Sequence, residues 1–137
     1  MKNVLITGGS GYSGKSLSNF LTKKKLNILS TYNKNKVNKK KYIKLNLLKE
    51  INLNSNFDYI IHTASHHKID DFKTKPKNKY SNNIKMIKNL IFFAEKKKIK
   101  NFIFYSSFDL NYPKKNKKKT YYIKSKIKSE NLLLNAF

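Results

Sequence analysis

Short apolar runs alternate with longer segments of helical periodicity along this chain. The apolar runs predict five strands, at residues 2–7, 27–31, 42–46, 57–63 and 101–105. Apolar residues at helical spacing predict helices over 12–25, 80–98 and 121–137; the first carries Leu17, Phe20 and Leu21 on one side, and the second carries Ile84, Ile87, Leu90, Ile91 and Ala94. Polar stretches predict loops at 33–41, 65–79 and 106–120, and 47–56 fits either a loop or a short helix.

This alternation is typical of an α/β fold in which a parallel sheet is covered by helices on both faces. The first, fourth and fifth runs are almost continuously apolar, which favours central strands buried on both sides.

A glycine-rich turn, Thr7-Gly8-Gly9-Ser10-Gly11-Tyr12-Ser13-Gly14, joins the first predicted strand to the first helix. Between a strand and a helix such a turn indicates phosphate binding, because glycines allow a tight turn and close approach of the backbone, and the helix N-terminus attracts anions. The spacing Gly8-x-x-Gly11-x-x-Gly14 is that of a dinucleotide site. Gly9-x-x-x-x-Gly14-Lys15-Ser16 also matches the P-loop pattern, and an ordinary strand–turn–helix is the non-functional alternative.

Composition narrows the class of protein. The 137 residues suit one domain, there is no Cys, and no stretch is apolar for the ~20 residues that a membrane span requires. The net charge is +24, but all 31 basic residues are Lys and are spread along the chain, as an AT-rich coding sequence would produce. We therefore expect a cytoplasmic protein with no membrane partner and no metal site. Without Arg, the charge predicts weak, salt-sensitive binding to polyanions but no specific nucleic-acid interface.

The last predicted helix opens with Tyr122-x-x-x-Lys126, and Ser106-Ser107 follows the fifth strand. Residues four apart share one helix face, where an ammonium can lower a Tyr pKa that is ordinarily about 10. Tyr and Lys are so frequent in this chain that the pair means little alone. Its position near the carboxyl ends of the strands, where wound α/β sheets bind ligands, gives it weight.

Five segments, in order along the chain, resemble the NAD(P)-dependent epimerase/dehydratase family of extended short-chain dehydrogenase/reductases. They are the glycine-rich turn; Asp58-Tyr59-Ile60-Ile61-His62-Thr63-Ala64; Pro76 with Tyr80-Ser81-Asn82-Asn83; Asn101-Phe102-Ile103-Phe104-Tyr105-Ser106-Ser107; and Tyr122-Ile123-Lys124-Ser125-Lys126. The resemblance implies a Rossmann-like doubly wound parallel sheet and an oxidoreductase, epimerase or dehydratase acting on a nucleotide sugar or a related carbonyl or hydroxyl substrate. The P-loop interpretation loses weight, because neither the fourth nor the fifth strand ends in the Asp that would bind Mg²⁺.

The resemblance also assigns roles to residues. Tyr122 would be the general acid/base, Lys126 would hold the nicotinamide ribose and lower the Tyr pKa, and Ser107, ahead of Ser106, would hydrogen-bond the reacting oxygen. The expected cofactor-binding residues are Gly8, Gly11, Tyr12, Ser13, Gly14, Tyr32, Lys34, Asn46, Leu47, Ala64, Asn83, Tyr122 and Lys126. Asn83 could instead be a helix cap or a surface residue, and we expect His62 to be a packed strand residue rather than a catalyst.

Three departures from the family pattern matter. Tyr32 directly follows the second predicted strand, with Lys34 nearby, at the position where NAD-preferring relatives carry an acid; this favours NADP, with NAD as the alternative. Asn46 stands where relatives often have an Asp near the adenine. The third departure is length: the sequence ends in the helix of Tyr122, before two further strands and a C-terminal substrate domain.

We therefore expect residues 1–137 to form an incomplete NAD(P)-binding Rossmann domain with one open sheet edge. The last helix could form a homodimer through Ile123, Ile127, Leu132 and Leu133. A catalytic enzyme and a non-catalytic dinucleotide-binding fragment both remain open.

Overall fold

One parallel sheet organises the chain, and a computed structural model describes residues 1–66, 76–111 and 120–137. The strands are β1 (Asn3–Thr7), β2 (Asn27–Tyr32), β3 (Tyr42–Lys44), β4 (Tyr59–His62) and β5 (Asn101–Phe104). Their order is β3-β2-β1-β4-β5, and every neighbouring pair is parallel. The chain runs outward from β1 to β3 and then crosses to β4, so the order reverses between β1 and β4. The predicted Rossmann-like fold is confirmed, and ligands of such sheets bind at this reversal.

Within the described residues, three helices accompany the sheet: α1 (Tyr12–Lys23), α2 (Pro76–Lys96) and α3 (Thr120–Ala136), with a 3₁₀ turn at Phe108–Asn111. Helix α2 begins four residues before the predicted start, and Pro76 suits a first turn because its missing N–H would have no partner there. The segment 47–56 forms turns and loop rather than a helix. The predicted loops at 65–79 and 106–120 lie partly outside the described residues.

Alternate residues of β1 supply two cores. Leu5 faces the larger core, with Ile60 of β4 and Leu90 and Phe93 of α2. Val4 and Ile6 face the other core, against Ile28, Ile61 and the α1 residues Leu17 and Leu21. Because successive strand residues point to opposite faces, a continuous apolar strand requires a cover on both sides.

Two sequence expectations are wrong. Phe20 is 56% exposed; the α1 side that meets the sheet uses Ser18 instead, whose hydroxyl accepts a 2.9 Å hydrogen bond from Ser30 of β2. Strand β5 is an edge strand among the described strands, and Ile103 is 46% exposed on it. Within the described residues, β5 is therefore less buried than β1 and β4.

Candidate functional site

The glycine-rich turn is a tight connection at the carboxyl end of β1. Gly8 has φ +80°, a left-handed conformation that side chains disfavour, and its carbonyl accepts a 2.9 Å hydrogen bond from the Gly11 N–H. A Cβ on Gly8 would lie 2.6 Å from the Ala64 nitrogen. Gly8 therefore forms the turn and brings it against the chain after β4.

Gly14 allows α1 to pack onto that turn. A Cβ at Gly14 would collide with the Gly8 carbonyl oxygen and lie 2.8 Å from the Thr63 hydroxyl. Gly11 differs, because it is exposed and an added Cβ would approach only the Gly8 oxygen, at 3.2 Å, among the described atoms. The missing side chain at Gly11 therefore leaves the backbone open toward solvent, where a ligand could approach.

The N-terminus of α1 faces this opening. Gly11 is the N-cap, with no side-chain cap hydrogen bond, and the first turn contains no acidic residue. Tyr12 is 96% exposed and Ser13 is exposed beside it. Free N–H groups at the positive end of a helix dipole attract an anion, so this end can bind a phosphate.

The same geometry disfavours the P-loop alternative. The turn between the end of β1 at Thr7 and the start of α1 at Tyr12 is only residues 8–11, and Lys15 and Ser16 are exposed within the helix, past its first residues. A P-loop lysine instead follows a long loop that wraps the phosphates.

The carboxyl end of β2 lies beside the turn. Thr31 is buried and its hydroxyl accepts a 3.4 Å hydrogen bond from the Gly8 N–H. Tyr32 is half-buried and Lys34 is exposed, so both can meet a ligand that extends past β2.

Asn46 and Leu47, after β3, contribute differently from each other. Asn46 is half-buried, and its side-chain oxygen accepts a 3.0 Å hydrogen bond from the Leu48 N–H. The Leu47 side chain is buried in the larger core and its carbonyl accepts from Asn89. A cofactor could therefore meet Leu47 through its backbone rather than through its side chain.

Asn83 binds the loop after β4 to helix α3. Its oxygen accepts from the His66 N–H at 2.9 Å, while its nitrogen donates to the His66 carbonyl and to the Ser125 hydroxyl, both at 3.1 Å. Asn83 is only 5% exposed. The structure thus places it as an internal clamp that holds the Ala64 loop, neither a helix cap nor a surface residue.

Lys126 lies on the inner side of α3, 5% exposed. Its ammonium donates a 2.7 Å hydrogen bond to the Tyr105 carbonyl, just past β5, and lies 4.5 Å from the centre of the Phe104 ring. Burial lowers the pKa of Lys126 to about 8, and Glu130 on the same helix opposes that shift. The side chain thus reaches the carboxyl end of the sheet.

Tyr122 lies one turn before Lys126, half-buried, and the Lys126 ammonium is 5.7 Å from its ring centre. The two side chains therefore share one helix face, as their spacing predicts. Ser107 is half-buried after β5 and its carbonyl accepts from Leu110 in the 3₁₀ turn, whereas Ser106 is exposed. Ser107, Tyr122 and Lys126 thus belong to the β5–α3 side of the carboxyl edge.

His62 is packed, as expected. It is 2% exposed, its Nδ1 lies 2.6 Å from the Thr7 hydroxyl, and burial lowers its pKa to about 3, with a smaller contribution from Lys126. It is neutral at physiological pH. His66 is half-buried and held by Asn83; His67 lies outside the described residues.

Sequence reasoning missed two residues, Ser125 and Phe104. Ser125 is fully buried between Asn83 and the Tyr122 carbonyl, and Phe104 lies between His62 and Lys126. The only available signal was position: Ser125 precedes Lys126, and Phe104 ends a strand.

Other kinds of site find no support within residues 1–66, 76–111 and 120–137. These residues contain no cluster of three or more His, Asp or Glu side chains that could hold a metal. Among the helices described, none is long and apolar enough to cross a membrane. A cavity of about 640 Å³ lies at the opposite, amino end of the strands, between Asn3, Asn27 and Phe57, remote from the glycine turn.

Comparison with known families identifies this arrangement. The family model described as the NAD dependent epimerase/dehydratase family matches residues 4–136, which is nearly the entire chain. The chain belongs to this family. Comparison with curated protein sequences finds no match.

Solved structures of epimerases share the fold. A UDP-Glc/GlcNAc 4-epimerase from Campylobacter jejuni is 24% identical with TM-score 0.80, over 99% of this chain and 49% of that one. A UDP-glucose 4-epimerase from Bifidobacterium longum, in complex with NAD⁺ and UDP, is 22% identical with TM-score 0.80, over 97% and 48%. A Bordetella bronchiseptica enzyme in complex with NAD⁺ is 17% identical with TM-score 0.77, over 99% and 52%. The chain therefore spans about half the length of the structures it matches.

Proposed function

We propose that this chain binds a nicotinamide dinucleotide across the carboxyl ends of its strands and contributes the proton-transfer residues of a nucleotide-sugar epimerase or dehydratase. The observation that carries the proposal is the convergence of two features on one edge of the sheet: the open turn at Gly11 and the Tyr122–Lys126 pair. Each feature is common alone. Their placement on either side of the reversal point of a parallel sheet fits an extended dinucleotide.

The residues present fit such a cofactor. The backbone at Gly11, Tyr12 and Ser13, at the uncapped N-terminus of α1, would hold the pyrophosphate. Tyr32 and Lys34 would lie at the adenosine ribose, with Asn46 and the Leu47 N–H near the adenine. Gly8, Gly14 and Ala64 would shape the floor, with Asn83 holding the Ala64 loop in place.

Lys126 and Tyr122 would then act at the substrate. A bound nicotinamide supplies the acceptor and donor of a hydride. Tyr122 would take the proton from a substrate hydroxyl and return it, Ser107 would hydrogen-bond the same oxygen, and Lys126 would hold the ribose. A nearby ammonium favours the phenolate form of a tyrosine, which is the form that takes up a proton.

The first experiment compares Tyr122→Phe with Tyr121→Phe in an assay of UDP-glucose and UDP-galactose interconversion. Tyr121 is the matched control, because it adjoins Tyr122, is half-buried, and packs edge-on against Tyr80 at 6.4 Å. We expect Tyr122→Phe to lose at least ~100-fold in kcat, the usual value of one general acid/base, and Tyr121→Phe to retain activity. Equal activity of the Tyr122 variant and the parent chain would refute the assigned role.

A second candidate function is dinucleotide binding without catalysis. The observation behind it is that the proposed cofactor residues all lie within these 137 residues, which match about half the length of each similar structure. It predicts saturable dinucleotide binding by the chain and no turnover of any nucleotide sugar, whereas the first candidate predicts both.

Cofactor choice depends on the end of β2. Similar structures were solved with NAD⁺, but this strand end presents Tyr32 and Lys34 and no carboxylate. We infer that NADPH binds at least as tightly as NADH, since a cation accommodates a 2′-phosphate. Lys34→Glu should weaken the binding of NADPH more than the binding of NADH in a titration. Lys36→Glu, on the same exposed loop, is the control. An equal effect of both variants on NADPH binding would exclude Lys34 from the cofactor site.

A further inference from the structure

The ammonium of Lys126 is held by two neighbours. An ammonium has three N–H donors, and one of them binds the Tyr105 carbonyl at 2.7 Å. The Phe104 ring lies on another side, 4.5 Å from Nζ to ring centre, closer than the 5.7 Å to the Tyr122 ring. Among the described residues Tyr105 provides the hydrogen-bond acceptor for this group, so the remaining donors can turn toward a ligand.

The Phe104 ring is itself fixed from behind. The His62 imidazole stacks on it, with ring centres 5.8 Å apart and planes 12° from parallel. His62 is 2% exposed, and its Nδ1 is 2.6 Å from the Thr7 hydroxyl. Phe104 therefore has little freedom to tilt away from Lys126.

The sheet register builds this row. Thr7 pairs with His62 across β1 and β4, and His62 pairs with Phe104 across β4 and β5. Each is the last residue of its strand, so the three side chains form one line along the carboxyl edge, from the residue before Gly8 to the lysine of α3. Directly paired residues of adjacent strands point to the same face of the sheet, so their side chains can contact one another.

We propose that Phe104, backed by His62 and Thr7, is a positioning residue that fixes the Lys126 ammonium at the carboxyl edge of the sheet. The negatively polarised ring face attracts the cation, and the attraction is strongest where water is excluded. Lysine needs such a support because its charge sits on a flexible four-carbon stem. The consequence for the ribose of a dinucleotide rests on the proposed function; the contact between ring and ammonium does not.

The charges around Lys126 agree with this role. His62 on β4 stays neutral because burial lowers its pKa to about 3, so it adds no repulsion behind the ring. Glu130 and Tyr122 face Lys126 from its own helix, and β5 presents the Phe104 ring and the Tyr105 carbonyl. With burial lowering the Lys126 pKa to about 8, the ring is one of the few groups that favour the charged form.

The alternative is that Phe104 only fills space, and a pair of matched substitutions separates the two. Phe104→Leu removes the ring face but keeps an apolar side chain. Phe102→Leu is the control, because Phe102 lies two residues earlier on the same strand, is also half-buried, and contacts Phe137 at 5.6 Å rather than Lys126.

The measurement is the pKa of Lys126 in the unliganded chain, by NMR of its side-chain carbon and nitrogen, with signals assigned by Lys126→Gln. We expect Phe104→Leu to lower this pKa by roughly one and Phe102→Leu to leave it unchanged. NADH should bind the Phe104 variant about 5- to 30-fold more weakly than the parent chain. An unchanged Lys126 pKa in Phe104→Leu would overturn the proposal.

A second pair of variants covers the case in which Phe104→Leu does not fold. Phe104→Tyr keeps the ring face and should keep the parent pKa of Lys126, whereas Phe104→Met should lower it; equal values in the two variants would also overturn the proposal. Failure of the parent chain to bind any dinucleotide would instead contradict the proposed function. The pKa comparison would still stand in that case, because it needs no cofactor.

Discussion

Gly14 and Gly11 are three residues apart and face opposite surroundings. Gly14 is buried against the Gly8 carbonyl and the Thr63 hydroxyl, whereas Gly11 is exposed at the helix N-cap. Gly14 therefore serves the packing of the chain, and we assign Gly11 to ligand binding.

This contrast predicts opposite outcomes for the same substitution. Gly14→Ala should destabilise the fold by about 1–3 kcal/mol through overpacking, partly offset by the better helix propensity of Ala. Gly11→Ala should cost only about 0.5–1 kcal/mol, since Ala is a poorer N-cap than Gly, yet weaken dinucleotide binding about tenfold or more. Urea unfolding measures the stability of both variants, and NADH titration measures their affinity for a dinucleotide. If Gly14→Ala and Gly11→Ala lowered the NADH affinity of the folded molecules equally, the two roles would be contradicted.

His62 predicts an acid-sensitive fold. Its folded pKa, about 3, lies below the unfolded value of 6.5, so between these pH values the unfolded chain binds an extra proton. Stability should therefore fall as the pH drops from about 6.5 toward 3, by on the order of several kcal/mol from this residue.

The check is urea unfolding at several pH values for the parent chain and His62→Phe, which keeps the stack on Phe104 but cannot titrate. The variant should lose less stability than the parent over this window. Parallel curves would show that His62 is not kept neutral by burial. Asp58, whose pKa is lowered by the Asn3 N–H and Lys2, titrates in both proteins and cancels in the comparison.

Residue types at fixed offsets were predictable from sequence, but their partners were not. The three-residue spacing of Gly8, Gly11 and Gly14 already indicates a turn, an approach point and a packing point. The role of Ser125 was not accessible, because it depends on Asn83, 42 residues away, and on the packing of α3 against α2. Phe104 likewise reads as one more apolar strand residue until the β4–β5 register places it beside His62.

A buried polar contact joins helices α2 and α3 at the site. The Ser125 hydroxyl donates to the Tyr122 carbonyl at 2.7 Å and accepts from Asn83, which also binds both backbone groups of His66. This contact links the loop of Ala64 to the helix of Tyr122 and Lys126.

Removing the contact between Ser125 and Asn83 should lower both the stability of the fold and the affinity for a dinucleotide. Ser125→Ala leaves a buried N–H of Asn83 without its acceptor, which costs about 1–3 kcal/mol. Ser129→Ala is the control: Ser129 is equally buried on α3, but its hydroxyl only donates back to the Ser125 carbonyl at 2.7 Å. Thermal unfolding should show the larger loss for Ser125→Ala, and NADH titration should show weaker binding for it alone; a larger loss for Ser129→Ala would contradict this account.

At the scale of elements, hydrophobic periodicity predicted all five strands and all three helices of the described chain. It failed for Phe20 and for the placement of β5, for related reasons. Periodicity reports which residues could be buried, whereas burial also depends on what lies opposite. Ser18 takes the inner position of α1 because Ser30 supplies a hydroxyl partner, and β5 has a neighbour on one side only among the described strands.

At the scale of the molecule, the exposed face of α3 differs from the one expected for a homodimer. Ile123 is buried within its own chain at 6% exposure, while Ile127 and Leu134 are 44% and 79% exposed. The homodimer stays a prediction: of its four expected residues Ile127 is exposed, Leu132 and Leu133 are half-buried, and Ile123 is covered by its own chain.

Net charge sets the conditions for any binding measurement. With a charge of +24, the chain should attract every polyanion, including ATP and both dinucleotides, at low salt. Such binding weakens steeply as salt rises, whereas hydrogen bonds to a built site persist. Moderate ionic strength therefore separates a site from a charged surface.

The most direct test of the central claim is a titration of the purified chain with NADH, NADPH and Mg-ATP at about 0.2 M salt, following nicotinamide fluorescence and thermal stability, with Gly11→Ala in parallel. We predict saturable binding of a dinucleotide, little stabilisation by Mg-ATP, and loss of dinucleotide binding in the Gly11 variant. Equal, salt-sensitive binding of all three ligands, unaffected by Gly11→Ala, would contradict a dinucleotide site at the glycine turn.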